Sequence, residues 1–504
     1  MRTPTTRVRT GLAVTCLATA AALAACTAPA QVEPSVAVTQ QPTPSAPPAS
    51  SPAQTGHFSS DTRPKDLAAV LGGFKQLWLS SGKDDLHGTV KDAATLQWND
   101  RLASWINQNA TPAQQLRALQ DAQYAGADGS GYDQSVTVAD GLGQKLGALY
   151  LAGRRNGQLP LTSKLLNNTN GSAGKYISTG DLKYQFSYPR PYLSSDPNAP
   201  LPAGDPESCA PSKVNASSLA GIRKGKPWAD AGGTLKITRV PSSNDTSQHY
   251  ANGTVRVSGG YRALCTGGSY PSGHSTDAYS SGLTLATLLP ELAPSILART
   301  SESTNNRIVL GVHYPLDVIG GRLAGEVGVA TRWSDPAFRD QVLLPARKEL
   351  VGYLEAGCGA TLATCIAGDT PYADDPYQGA KLPGGGSQAV SDRASALQTY
   401  TERLGYGFTA TQKRGLPASV PTGAENLLLT AFPTLTDAQR QAVLAQTEID
   451  SGHPLDTSAL DRPKGPGSWQ RLNLAAAMSA TVKLDAHGGV TVVSVGGAPT
   501  VMNG

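Results

Sequence analysis

Charge is scarce in this sequence. Only 16% of its 504 residues are Asp, Glu, Lys or Arg, and no basic run or stripe stands out, which argues against a nucleic-acid partner. Long apolar runs are also missing. Past the N-terminus no segment approaches eighteen unbroken apolar residues, so the body of the chain offers no membrane span. The cysteines form no Cys-x-x-Cys pair and have no neighbouring His, so no metal ligand set is expected. No repeat of fixed period appears. What remains is a globular composition with 39% hydrophobic residues, enough for a real core. Its 54 Gly and 36 Pro predict many loops, and its length allows two to three domains.

The N-terminus reads as a processing signal. A basic leader, MRTPTTRVR, precedes the short run GLAVTCLATAAALAA, which closes in Leu-Ala-Ala-Cys at residues 23–26. This resembles a bacterial lipobox, in which Cys26 becomes the lipidated first residue. An ordinary secretory signal with a chance Cys is the plainer alternative. Residues 1–25 are then a lipoprotein signal peptide, and loss of Arg2, Arg7 and Arg9 takes the formal charge from +4 to +1. Residues 26–62, rich in Pro, Ser, Thr, Ala and Gln, read as a disordered tether to a membrane surface. Export leaves Cys209, Cys265, Cys358 and Cys365 in an oxidising compartment. Proximity favours Cys358–Cys365 and Cys209–Cys265 as disulfides, with a metal site as the weaker alternative.

The class is mostly α. Three- and four-residue apolar spacing predicts helices from about Arg63 to Asn168, including RPKDLAAVLGGFKQLWL, DAATLQWNDRLASWINQN and PAQQLRALQDAQYAG. Residues 192–262, rich in Pro, Ser, Gly and Asp, read as a loop-rich surface insertion with two β-like runs, TLKITRV and TVRVSGG. Two segments that are apolar nearly all round, HSTDAYSSGLTLATLLPELA (broken at Pro290) and YPLDVIGGRLAGEVGVATRW, should be buried helices. Residues 63–335 make one helical domain. Residues 336–504 are a mainly helical region, including GAENLLLTAF and SWQRLNLAAAMSATV, that is either separate or completes the bundle. The tail from Asp485 is β-like or loose.

Three stretches carry chemistry. In PSGHS, Pro271 sets the approach, and Ser272 and Gly273 can present amides to an anion at a helix N-terminus, with His274 beside it as proton donor. A helix cap that merely contains a His is the plain alternative. In NRIVLGVHYPLD, His313 and Asp317 are four apart and share one face if helical. Asp317 would then take the Nδ1 proton and leave Nε2 a free lone pair, as a nucleophile needs; a surface ion pair is the bland reading. Arg307, in a loop upstream, can fork onto phosphate oxygens. In KYQFSYPRP, Lys183 and Arg190 can hold a phosphate from a second side, though exposed cations are common. Asp277 reads as dipole compensation or support for His274, and Tyr270 as a pocket wall or packing. His453 and His487 carry no assigned chemistry.

In this order, Lys183-x6-Arg190-Pro191, Pro271-Ser272-Gly273-His274 and Arg307-x5-His313-x3-Asp317 resemble the signature of the type 2 phosphatidic acid phosphatase and vanadium haloperoxidase superfamily. GSYPSGHS is similar to the signature of the class A bacterial non-specific acid phosphatases. The resemblance covers roughly residues 140–330. It departs at Asn306, where Ser is usual, and in the long gap between Pro191 and Pro271. It implies a buried helical bundle and metal-free hydrolysis of phosphate esters. Lys183, Arg190, Arg307 and the amides near Ser272–Gly273 would hold the phosphoryl group. His313 would attack phosphorus, Asp317 would orient it, and His274 would protonate the leaving alcohol. No cofactor is implied. The alternatives are a haloperoxidase with vanadate in the same anion site, a phosphatase of phosphatidic acid or polyprenyl diphosphates, and a phosphate-binding lipoprotein with a dead site.

Overall fold

The computed structural model describes residues 58–64, 67–124, 133–166, 177, 179–195, 217–459 and 467–503. All fall within one compact unit, residues 48–504. Cys26, the signal and most of the tether lie outside the described residues. So does Cys209; Cys265 is disulfide-bonded, and the Cys358–Cys365 bond is formed.

The longer helices are α1 (Ala93–Asn109), α2 (Pro112–Gln123), α3 (Gln144–Arg155), α4 (Gly180–Phe186), α5 (Gly273–Leu288), α6 (Ala293–Val309), α7 (Pro315–Trp333), α8 (Leu344–Cys358), α9 (Arg393–Gly405) and α10 (Asp437–Thr447). Side chains satisfy several starts: Asp92 caps α1 and Thr111 caps α2, each accepting a backbone N–H three residues on. Strands are short. Two antiparallel pairs are β1 (Trp78–Ser80) with β2 (Gly88–Val90) and β3 (Ser243–Asp245) with β4 (Val255–Val257). A C-terminal sheet of β5 (Thr481–Leu484), β6 (Val490–Ser494) and β7 (Thr500–Asn503) has the order β6-β5-β7.

The centre of the fold is the trio α5, α6 and α7. Helices α5 and α6 meet at a bend of 113° around Pro290, where the chain can no longer continue α5. All of α6 is buried, and all of α7 except Thr331. Their apolar faces join one core that runs from Leu67 to Val482. A Cβ on Gly321 would lie 2.6 Å from the Ser272 carbonyl oxygen, so glycine there lets α7 approach the start of α5. No single helix among the described residues is long and apolar enough to cross a membrane.

The region after residue 335 packs onto this trio. Arg403 of α9 donates to Ser301 Oγ on α6 (3.0 Å), and Tyr406 OH reaches Asn305 (3.2 Å). Arg322 of α7 pairs with Glu326 and donates to Gln470 Oε1 at 2.6 Å.

Several expectations need correction. Arg307 sits in the last turn of α6, not in a loop. The Ser/Thr/Asn-rich stretch before it is helical as well: Thr300 Oγ1 donates back to the Ile296 carbonyl of the same helix at 2.7 Å, and Ser303 Oγ reaches Gln134 at 2.8 Å. TLKITRV forms only an isolated bridge at Leu235, whereas TVRVSGG does supply β4. The stretch after Arg63 ends in strand β1, and SWQRLNLAAAMSATV breaks into a 3₁₀ turn, the four-residue helix Leu474–Ala477 and β5. In GAENLLLTAF only a 3₁₀ turn, Ala424–Leu428, forms. The insertion is not purely superficial either: Leu219, Arg223, Val257 and Tyr261 are buried.

Candidate active site

Helix α4 ends at Ser187, whose left-handed backbone (φ 46°) turns the chain back. Lys183 in the last turn and Arg190 in the following segment therefore converge on one loop. Lys183 Nζ donates to the carbonyls of Gly268 (3.1 Å), Ser269 (2.9 Å) and Pro271 (2.5 Å). Arg190 donates from Nε to Gly267 (3.1 Å), from Nη2 to Gly268 (3.1 Å) and from Nη1 to Val312 (3.0 Å). Two cations thus shape the loop that leads into α5.

Ser272 caps α5, its Oγ accepting the Ser275 N–H at 3.2 Å. Its own amide is taken by the Asp317 carbonyl at 3.0 Å. This corrects the expectation that the Ser272 amide faces an anion: Ser272 ties the start of α5 to α7 instead, and Gly273 holds the first position of the helix, followed by His274. The chain reaches His313 through Gly311, whose φ of +70° suits glycine. His313 precedes α7 rather than lying on it, so its contact with Asp317 is made across the helix start, not along a helical face. Asp317 Oδ2 accepts the Tyr314 N–H at 2.9 Å and lies 3.1 Å from His313 Nδ1.

On its other side, His313 Nε2 is 3.1 Å from Arg190 Nη1. A guanidinium only donates, so Nε2 must accept; the ring proton then sits on Nδ1 and is donated to Asp317. The contacts select the tautomer that a nucleophilic Nε2 requires. Both residues of the pair are buried, at 2% and 0% side-chain exposure.

Lys183, Arg190 and Arg307 all act on the His313–Asp317 pair, three cations against the Asp317 carboxylate. The imbalance shows in the titration of every member. Burial, then Arg190, pushes Lys183 well below its ordinary value. Burial lowers Arg190 to about 10. Burial and then the cations push both His313 and His274 well below theirs. Burial lifts Asp317 to about 7, against the Tyr314 N–H and the neighbouring cations, which favour its anion. Such a site favours an incoming anion, which would restore Lys183, Arg190 and the two histidines toward their charged forms.

His274 is half-buried in the first turn of α5. A cavity of about 440 Å³ borders Lys183, lined also by Leu86, Tyr184 and Gly267. Tyr270 packs rather than lining this space: it is fully buried and stacks on Phe74 with ring centroids 4.0 Å apart. Among the described residues the Asp277 side chain has no hydrogen bond or ion pair, and burial raises it to about 7. Among the described residues no group of three or more His, Cys, Asp and Glu is placed to hold a metal ion.

Some supporting residues left no signal in the sequence. Arg223, from the insertion, forks onto Asp100 (2.9 Å to each oxygen) and donates to Tyr314 OH (2.9 Å), next to His313. Asn306 lies beside Arg307 and bridges to α2. Only the fold brings these long-range partners together.

Comparison with known proteins agrees with this geometry. The chain is 38% identical over 79 residues to a non-specific acid phosphatase of Providencia stuartii, covering 16% of this chain and 32% of that protein. It is 43% identical over 83 residues to an acid phosphatase of Zymomonas mobilis, covering 16% and 31%. A non-specific acid phosphatase of Salmonella typhi is 37% identical over 83 residues, covering 16% and 33%. The chain thus spans about a third of the length of the curated relatives it matches. Residues 166–339 match the PAP2 superfamily, and this matching segment holds Lys183, Arg190, His274, Arg307, His313 and Asp317.

Proposed function

We propose that this protein is a phosphatase that hydrolyses phosphomonoesters through a phosphohistidine on His313. The observation that carries the reading is the His313 ring, held between Asp317 and Arg190 with its lone pair on Nε2, inside a buried excess of positive charge. Relatives named as acid phosphatases support the same reaction class.

Lys183, Arg190 and Arg307 neutralise the phosphoryl oxygens, and the Gly273 amide at the start of α5 adds a helix-terminal donor. As the phosphoryl group enters, Arg190 exchanges His313 Nε2 for a phosphate oxygen and frees the lone pair. Nε2 then attacks phosphorus in line. The P–O bond to the leaving group breaks, and His274, protonated, passes its proton to the departing alkoxide. Asp317 holds the Nδ1 proton and offsets the positive charge that develops on His313. In the second step neutral His274 takes a proton from water, the hydroxide attacks phosphorus, and the P–N bond breaks to release phosphate. The three cations supply the charge neutralisation that a metal ion provides in other phosphoryl transfers, so the reading requires no metal and no cofactor.

The reading places the enzyme outside the membrane of a bacterium, anchored through lipid on Cys26. The Cys358–Cys365 bond supports an oxidising compartment. Replacing Cys26 with Ser should abolish acyl labelling and release the protein from the membrane fraction; unchanged labelling removes the anchor.

The test of the chemistry is rapid quench with a labelled phosphomonoester in EDTA. An acid-labile phosphoenzyme that is absent in His313→Ala supports the reading. Activity lost in EDTA and restored by a divalent cation would overturn the metal-free mechanism. Vanadate should inhibit as a mimic of pentacoordinate phosphorus. Peroxide-dependent bromination with vanadate, without phosphatase activity, would instead establish the haloperoxidase alternative.

A further inference from the structure

The insertion, residues 192–262, reaches the turn that delivers His313. Helix α6 closes its own end in part: the Leu310, Gly311 and Val312 amides bond back to the Asn306 (3.0 Å), Ile308 (2.8 Å) and Arg307 (3.2 Å) carbonyls. Val309, Leu310 and Val312 are fully buried, so their own carbonyls need donors from elsewhere. Asn107 Nδ2 of α1 donates to Val309 at 2.7 Å, Tyr261 OH to Leu310 at 2.8 Å, and Arg190 Nη1 to Val312 at 3.0 Å. The last of these is the nitrogen that also lies 3.1 Å from His313 Nε2.

Two of the three donors are set by the insertion. Tyr261 is buried, and its hydroxyl accepts the Val240 N–H at 2.8 Å. That leaves its single proton for Leu310. Asn107 is clipped to the insertion by both ends of its amide: it accepts the Thr238 N–H at 2.7 Å and donates to the Thr238 carbonyl at 2.8 Å. Ile237 lies so close to the turn that a Cβ on Gly311 would fall 2.2 Å from its Cγ2. Only Gly311 and Val312 separate Leu310 from His313, so a shift at Leu310 passes to the imidazole.

We propose that Tyr261 is a positioning residue for His313, a role that rests on the phosphatase reading: it pins the Leu310 carbonyl so that Nε2 meets phosphorus in line. The insertion is thereby part of the frame of the site. Removing the pin slows the attack itself, whatever the leaving group. Phosphate binding stays, because Lys183 and Arg190 are also held by the Gly267–Pro271 loop.

The test is Tyr261→Phe, which keeps the ring and removes only the hydroxyl. Rapid quench with enzyme in excess over a labelled ester reads the first-order rate of phosphoenzyme formation in the folded molecules, whatever their fraction. That rate should fall by about tenfold to a hundredfold, as a misplaced reacting atom costs, and alike on an alkyl phosphate and on p-nitrophenyl phosphate. The inhibition constant of inorganic phosphate should stay within about twofold. Asn107→Ala, which releases the Val309 carbonyl and puts a strong helix former in α1, should show the same pattern and decides the matter if Tyr261→Phe fails to fold. Ser104→Ala cuts a different tie between α1 and the insertion, the 2.9 Å bond from Ser104 Oγ to the Lys236 carbonyl, and should leave the rate unchanged. An unchanged rate in folded Tyr261→Phe, a loss confined to the alkyl ester, weaker phosphate inhibition, or an equal loss in Ser104→Ala would overturn the inference. Wild-type enzyme that hydrolyses neither ester would instead refute the phosphatase reading itself.

Discussion

Helix α6 passes through two buried charge clusters that differ in one respect. In its middle, Arg299 and Glu302 meet Arg117, Asp121 and Asp140, so two cations face three carboxylates. At its end, Arg307 joins Lys183 and Arg190 around the His313–Asp317 pair, an excess of cations. Burial alone would discharge the groups in both. In the first cluster partners win at every group but Asp121, which burial raises: Asp121, Glu302 and Asp140 overcome burial and raise Arg299, while Arg117 and Arg299 overcome burial and hold Glu302 at about 2. In the second, burial and like charge win, and Lys183 and Arg190 are lowered. A cluster in which every cation meets carboxylates is complete as a scaffold. A cluster with surplus positive charge is complete only when an anion arrives, which is why the comparison marks the site without reference to any relative.

The comparison breaks most severely at the proposed nucleophile. His313→Ala should reduce turnover by at least about 10³-fold with every ester and leave no phosphoenzyme. His274→Ala should cost about 10²–10⁴-fold on alkyl esters and much less on p-nitrophenyl phosphate, read from the leaving-group dependence. If His274→Ala removes the phosphoenzyme while His313→Ala accumulates it, the two roles are reversed.

Stability separates the clusters next. Asp121→Asn leaves Arg299 short of a buried counter-charge and should destabilise by about 3–5 kcal/mol, measured by denaturant unfolding. Inorganic phosphate at 100 times its Kd should stabilise wild type by about 2.7 kcal/mol through the surplus-charge site. Asp121→Asn should retain that increment, whereas Arg190→Gln should lose most of it.

Acid pH sharpens the contrast. Glu302 is lowered in the fold, so its contribution is fully present above its ordinary value of 4.5 and lost as pH falls toward about 2. The scaffold therefore survives mild acid. His274 is also lowered, so the free enzyme carries its proton only below the ordinary histidine range. The alkaline limb of the kcat/KM profile should fall below pH 6.5, and bound phosphate charge should move the limb of kcat upward. An alkaline limb of kcat/KM above pH 7 would contradict this.

The smallest expected effect is at Asp277. Its raised value makes its ionisation unfavourable in the fold, a cost absent below the unfolded value of 3.8 that grows until pH passes about 7. Asp277→Asn should thus stabilise by about 1–2 kcal/mol at pH 8 and by nothing at pH 3.5. Equal effects at both pH values would assign the change to packing.

Local rules made part of this legible. Helices α1 and α2 followed from three- and four-residue apolar spacing, and α7 from a segment apolar nearly all round, because short-range periodicity dictates those features. The order Lys183, Arg190, His274, Arg307, His313 and Asp317 was legible as a spaced set of residue types suited to phosphate chemistry. Helix α6 was not, since Ser, Thr and Asn favour loops in isolation, whereas here Ser303 and Asn306 find buried partners on other elements. The insertion hid Arg223 for a related reason: a polar stretch gives no sign of which of its charges will be buried.

The sequence by itself determined the chemical inventory: two histidines, their aspartate, three cations and the helix starts beside them. Tertiary structure decided how they act. It turned Arg190 onto Nε2 and so selected the His313 tautomer, and it took the Ser272 amide for the Asp317 carbonyl. These are contacts between residues far apart in the chain, and each hydrogen bond depends on direction and distance that residue type and spacing do not encode.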